Sequence, residues 1–181
     1  MNKTLLNSTL LAASVLVSST AFANTEQDNK HWQVGVGSYA VVVEADDYPD
    51  DDFTGFNLSS TYAFTDNVAI RGQYYSLEHD DESDLELSGV DILAFYGTGL
   101  LSKGFKAYVG GGFYSETMEM DGFDEDFSGA QINGGIGYNW DVVSVELSIG
   151  IRSTGDYEDL IDDSDTDVTA VSSALTVSYR F

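Results

Sequence analysis

The sequence predicts an all-β fold: eight antiparallel strands closed into a barrel that carries its apolar face outward into a membrane. Three observations predict it. Apolar and polar residues alternate with period two in eight separate segments, which is the side-chain period of a strand and not of a helix. Connections between the segments alternate between long and short. The segments also suit a tilted membrane-crossing strand of about 10 residues, whereas a spanning helix needs about 20 consecutive apolar ones.

The 181 residues make one domain's worth of chain. Lys3, an apolar run over residues 10–17 and Ala21-Phe22-Ala23 form the pattern of a signal peptide. Cleavage after Ala23 is expected, leaving residues 24–181 as the barrel. A retained membrane anchor is disfavoured because the apolar run is short and is broken by Ser14, Ser18 and Ser19.

Residues 24–30 are a polar lead-in. The first strand, residues 32–44, sets Trp32, Val34, Val36, Ser38, Ala40 and Val42 against Gln33, Gly35, Gly37 and Tyr39. An acidic loop over residues 45–52 contains the only proline, Pro49. The second strand, 53–64, opposes Phe56, Leu58, Ser60, Tyr62 and Phe64 to Asn57, Ser59, Thr61 and Ala63 before the tight turn Thr65-Asp66-Asn67. The third, 68–77, sets Val68, Ile70, Gly72 and Tyr74 against Ala69, Arg71, Gln73 and Tyr75, and a second acidic loop fills 78–84.

The fourth segment, 85–101, is apolar on both faces, with Val90, Ile92, Ala94 and Tyr96 opposite Leu93 and Phe95. Its register stays open between two choices, and Asp91 is placed inward. After the turn Ser102-Lys103-Gly104, the fifth strand, 105–115, turns Phe105, Ala107, Val109, Gly111 and Phe113 out and Lys106, Tyr108, Gly110, Gly112 and Tyr114 in. Residues 116–126 read as a third acidic loop. The sixth strand, 127–140, opposes Ile132, Gly134, Ile136, Tyr138 and Trp140 to Gln131, Asn133, Gly135, Gly137 and Asn139. The seventh, 143–153, alternates most regularly: Val143, Val145, Leu147, Ile149 and Ile151 out, Ser144, Glu146, Ser148, Gly150 and Arg152 in. Residues 154–167 form the longest loop. The eighth strand, 168–181, ends on Tyr179, Arg180 and Phe181.

On this last stretch, closing on Phe181 after Tyr179, the chain resembles the small eight-stranded outer-membrane β-barrels of Gram-negative bacteria, similar to the OmpA-transmembrane and OmpX-like families. The resemblance implies residence in the outer membrane, a monomer in contact with outer-membrane lipid and lipopolysaccharide, and delivery to the insertion machinery through the C-terminal strand. Barrels of this kind keep short turns periplasmic and long loops outside, so the four acidic loops are expected to face the medium. A soluble lipocalin-like barrel is the rival, but it would bury its apolar faces. Aromatic residues near segment ends, among them Trp32, Phe64, Phe105, Tyr138 and Trp140, fit a membrane girdle instead.

Charge excludes one function class. With Lys3 gone, six basic residues stand against 31 acidic ones, and such a chain repels nucleic acid. Without cysteine it has no disulfide framework and no thiolate site. Four of the remaining cations, Arg71, Lys106, Arg152 and Arg180, fall on inward positions, where with Glu146 they predict a lumen network of ion pairs. That network reads as an internal plug in preference to an ion path, because eight strands leave little bore. Glu146 is expected to pair with Arg180 or Arg71.

His31 and His79 lie at opposite ends and cannot share a site. Lipid A-modifying enzymes do occur on such barrels, but His79 beside Asp80 and Asp81 matches no catalytic motif and reads as a solvated histidine. No enzymatic activity and no bound cofactor are expected. The clusters Gly110-Gly111-Gly112 and Gly134-Gly135-Ile136-Gly137 are not phosphate cradles; glycine there gives room to neighbouring aromatic side chains. The acids are the oddity, since 25 of the 31 fall at the long-loop end. Asp156, Glu158, Asp159, Asp162, Asp163, Asp165 and Asp167 in the last loop are candidate weak ligands for Ca²⁺ or Mg²⁺, although Val168 stands where an EF-hand requires glycine. A solvated, repulsive surface accounts for them equally well. The function expected is thus structural or surface-interacting, through divalent cations, lipopolysaccharide or a cationic partner, with a narrow porin-like channel as the alternative.

Overall fold

The computed structural model describes residues 30–45, 51–79, 85–120, 123–153 and 168–181. The expected leader, residues 1–23, and most of the first, second and last loops lie outside them. Eight strands follow one another around a closed antiparallel barrel: β1 Trp32–Ala45, β2 Asp51–Ala63, β3 Val68–His79, β4 Leu85–Thr98, β5 Gly104–Met120, β6 Phe123–Asn139, β7 Val143–Arg152 and β8 Val168–Arg180. Pairing of β8 with β1 shuts the sheet, with Val177 opposite Val36. At the turn end Trp32 N–H donates to the Phe181 carbonyl at 3.0 Å and Phe181 N–H returns to Trp32 at 2.9 Å. Closure gives the sheet no free edge, which is what a sheet in hydrocarbon requires.

Alternation produces an inverted protein, greasy outside and charged within. Ile132 is 73% exposed and Phe113 71%, while Glu146 is 3% and Arg180 1%, so the soluble-barrel rival is excluded. In β4, Val90, Ile92 and Tyr96 face out and Asp91, Leu93 and Phe95 face in. At the turn end the outward rings pack in a girdle, with Trp32 against Tyr62 at 4.9 Å and Tyr138 against Trp140 at 4.7 Å. Inward glycines make room for rings: a Cβ at Gly135 would strike the Tyr108 ring, and one at Gly89 the Tyr75 ring.

Two expectations change. The third acidic loop is mostly strand, because β5 and β6 pair without a break up to Met120 opposite Phe123. The acidic character of Glu119, Asp124, Glu125 and Asp126, all exposed, reflects their place above the membrane and not a lack of sheet. At the other end β4 stops at Thr98 and not at Leu101. Gly99, at φ 71°, takes the left-handed conformation that turns the chain inward, and Leu100 is buried against Ala63, Ala69, Leu93 and Phe95.

That turn is tied to its neighbours and floors the barrel. The Asp66 carboxylate accepts the N–H groups of Gly99 at 3.1 Å, Leu101 at 3.2 Å and Ser102 at 2.8 Å. Asn139 Nδ2 donates to the carbonyls of Gly99 and Ser102 at 2.7 and 3.1 Å. Partial burial raises the Asp66 carboxyl, but the three backbone donors outweigh burial and hold it below the ordinary carboxylate range. Its contribution is therefore complete above the unfolded value near pH 4 and is lost as pH falls through the depressed folded value. Asp66→Asn is expected to cost about 2 kcal/mol at pH 7. In urea melts stepped from pH 7 to below 4, the wild type should lose this advantage while the variant shows a flatter slope.

Candidate functional site

The lumen holds two layers of charge separated by amides and hydroxyls. The lower layer centres on Glu146 of β7. Its Oε1 accepts from Arg71 Nη1 of β3 at 2.6 Å and from the Tyr108 hydroxyl of β5 at 2.7 Å. Its Oε2 takes Lys106 Nζ at 2.5 Å. Arg71 also donates from Nε to Thr61 Oγ1 at 2.8 Å and lies over the Phe95 ring at 5.0 Å. Two strands far from β7 in sequence, β3 and β5, thus send side chains to its one carboxylate.

The upper layer centres on Arg152. Its Nη1 donates to Glu116 Oε2 at 2.6 Å and its Nη2 to the Tyr39 hydroxyl at 2.9 Å, with Asp91 Oδ1 3.6 Å away. Tyr75 donates to the same Glu116 oxygen at 2.7 Å, and Tyr39 to Asp91 Oδ2 at 3.3 Å. The guanidinium also meets the rings of Tyr75 at 5.1 Å and Tyr114 at 4.8 Å. Between the layers, Asn57 donates to Gln73 at 3.2 Å and Gln73 to Asp91 at 3.3 Å. The space left there, bounded by Tyr39, Arg71, Gln73, Tyr108, Asn133 and Ser172, is about 10 Å³, room for roughly one water molecule. Above the upper layer, Val41, Phe53, Leu77, Leu87 and Phe127 fill the mouth with hydrocarbon.

Of the five residues expected to form a lumen network, Arg71, Lys106 and Glu146 meet in the lower layer and Arg152 sits in the upper. Arg180 stands apart, reaching the carbonyls of Trp140 and Leu101 at 2.5 Å each. The register explains this: Glu146 is opposite Thr176, so Arg180 lies four residues nearer the turns and secures the floor. Glu116, counted among the rim acids, is 2% exposed and belongs to the lumen. The alternation Tyr114, Glu116, Met118 against Ser115, Thr117, Glu119 was its available signal. The inward tyrosines that box Arg152 were not singled out as a group. His31 donates to the Ala63 carbonyl at 2.6 Å, and His79 packs edge-on to Phe53 at the other end.

The loop-four carboxylates, Asp156, Glu158, Asp159, Asp162, Asp163, Asp165 and Asp167, lie outside the described residues. Among the described residues no three acids or histidines converge as a metal site. Acids do line up on the outer wall, however. Glu78 of β3 is opposite Glu86 of β4, Glu86 opposite Glu119 of β5, and Glu119 opposite Asp124 of β6. All four are exposed and point outward. Immediately below them run Ser76, Ser88, Thr117 and Asp126 in the same register, with Thr117 donating to Asp126 at 2.7 Å. The wall therefore passes from apolar, through a row of three hydroxyls and Asp126, to a full row of carboxylates within a few residues.

Breaking one partner of a buried ion pair strands the other. Glu146→Gln should cost about 3 kcal/mol or more in urea melts of the folded barrel. Double-mutant cycles should show coupling of about 0.5–3 kcal/mol to Arg71 and to Lys106, and near-additivity with Arg180.

The sequence profile described as "Outer membrane protein beta-barrel domain" matches residues 9–181. No curated protein matches the chain by sequence. Among solved structures it is similar to Ail, the attachment invasion locus protein of Yersinia pestis, at 18% identity and a TM-score of 0.56, covering 84% of this chain and 99% of Ail. It is also similar to Neisserial surface protein A, at 13% identity and a TM-score of 0.61, covering 83% and 97%. A complex of Ail with the heparin analogue sucrose octasulfate matches at 19% identity and a TM-score of 0.54, covering 83% and 98%. At these identities the likeness concerns the fold. With the profile spanning nearly the whole chain over a closed, outward-apolar barrel, the protein belongs to the outer membrane protein β-barrel domain family and resides in the bacterial outer membrane.

Proposed function

We propose that this is a closed, non-enzymatic surface barrel that holds an acidic wall at the outer boundary of the membrane and joins it, through divalent cations, to surrounding lipopolysaccharide. The observation that carries the reading is the outward row Glu78, Glu86, Glu119 and Asp124 on four adjacent strands. Neighbouring strands lie about 4.8 Å apart, and like charges directly opposite one another destabilise a sheet. A row of this kind beside anionic lipid needs cations between them. Ca²⁺ and Mg²⁺ take carboxylate oxygens, and lipid phosphates supply the ligands that a linear row lacks. The loop acids, seven of them in residues 156–167, add to the same negative field.

Ail is described in complex with a polyanion, sucrose octasulfate. This chain's acidic end disfavours such a ligand, and a cationic or cation-bridged partner suits it. The narrow-channel reading is weakened by the two charge layers and the apolar mouth. Among the described residues no catalytic constellation supports lipid A modification.

Lipopolysaccharide capture by the barrel in nanodiscs tests the proposal. Mg²⁺ at about 0.1–1 mM, the range of weak extracellular sites, should raise capture above that in NaCl of equal ionic strength, and the combined variant E78Q/E86Q/E119Q/D124N should abolish the difference. Equal capture in matched NaCl would reduce the row to a solvated surface. In planar bilayers the wild type should show no steady conductance; an ohmic current would establish the channel instead.

A further inference from the structure

We propose that the small cavity between the two charge layers is a binding site for one water molecule, and that this water is the hydrogen-bonded link between the layers. Among the described residues no hydrogen bond runs directly from one layer to the other. From Asp91 the bonds pass to Gln73 and Asn57 and end at Thr176, whose Oγ1 accepts from Asn57 Nδ2 at 3.4 Å. Arg71, Tyr108, Lys106 and Glu146 are bonded among themselves below that point. The cavity touches both sets. Arg71 and Tyr108 of the lower layer and Tyr39 of the upper line it together with Asn133 and Ser172.

Glycine opens this space. Gly150 of β7 lies opposite Asn133 of β6 and opposite Ser172 of β8, and a Cβ on it would strike both Asn133 Nδ2 and Ser172 Oγ. The two polar side chains therefore lean over the glycine. Asn133 is only 8% exposed, and its Oδ1 has no partner in the protein. An amide oxygen buried without a hydrogen bond is costly, so its neighbour in the cavity must be a donor. Size and lining then choose the occupant. At about 10 Å³ the cavity admits one water and nothing larger. A buried water needs about two to four polar partners, which Asn133, Ser172, Tyr39 and Arg71 supply. The Arg71 guanidinium repels a metal ion, and the unpartnered Asn133 oxygen repels a halide. Water alone can donate to that oxygen and accept from a guanidinium or a phenol at the same time. With it in place, one bonded system runs from Glu116 through Arg152 and Tyr39 to Arg71 and Glu146.

Crystals of the folded barrel grown with rubidium bromide in place of sodium chloride test the occupant. They should show one density peak within hydrogen-bonding distance of Asn133 Oδ1, without anomalous signal. Urea melts test the link. Tyr39→Phe and Tyr108→Phe should be non-additive, with the double variant's unfolding constant departing at least about twofold from the product of the single effects. In an Asn133→Leu background the same pair should become additive within that factor. A cavity without density, an anomalous peak at the site, additivity in the wild type, or coupling that survives Asn133→Leu would each overturn the proposal. The crystallographic reading requires no substitution, so it decides the matter if the leucine variant does not fold.

Discussion

Everything in this molecule depends on the demand that hydrocarbon makes of a polypeptide: each backbone N–H and C=O must find a partner within the protein. A sheet meets that demand only by closing, and β8 closes on β1 through a continuous ladder from Val168 opposite Ala45 to Arg180 opposite Gln33. Once the sheet is closed, alternation sorts the side chains, and whatever hydrocarbon rejects must go inside. The interior of an eight-stranded barrel is just wide enough to be filled by those side chains. Burying charge follows from that sorting, and pairing the charge follows from burying it.

The two layers solve the pairing differently. The lower one sets two cations, Arg71 and Lys106, on one carboxylate, while the upper sets Arg152 among two carboxylates, Glu116 and Asp91. Each layer carries a charge opposite to the other's, and the amides of Asn57 and Gln73 lie between them, bonded to the upper layer through Asp91. Tyrosines complete both layers, since a phenol supplies a hydroxyl to the carboxylates and a ring face to the guanidinium. A path for ions would need this stack to separate at several points together.

Strand order, facing and the two ends of the barrel were legible because period two is a local property; Ile149 and Glu146 declare their sides from their neighbours alone. Partners across the lumen were less legible. Which carboxylate meets which arginine depends on the stagger between strands, and the stagger is fixed by the whole ring, so Arg180 looked level with Glu146 and is not. Glu116 was misplaced for another reason. Acidic residues beyond the membrane read as loop because strands usually end where hydrocarbon does, but hydrogen bonding between β5 and β6 continues after the lipid has stopped. The apolar side chains of Leu87 and Phe127, packed over the upper layer, help keep those strands paired in water.

The seam between Trp32 and Phe181 also bears on how the barrel comes into being. Seven of the eight strand pairings join neighbours in sequence, and each can zip from a nearby turn. The eighth joins the two extremes of the domain, so nearly the whole chain must be in place before its first hydrogen bond is made. Contacts of such long separation are slow to form because loop entropy is spent before any reward arrives. Until then β1 and β8 are bare edges, open to pairing with other chains. Speed of seam closure, more than final stability, then sets how much of the protein is lost to aggregation on its way into the membrane.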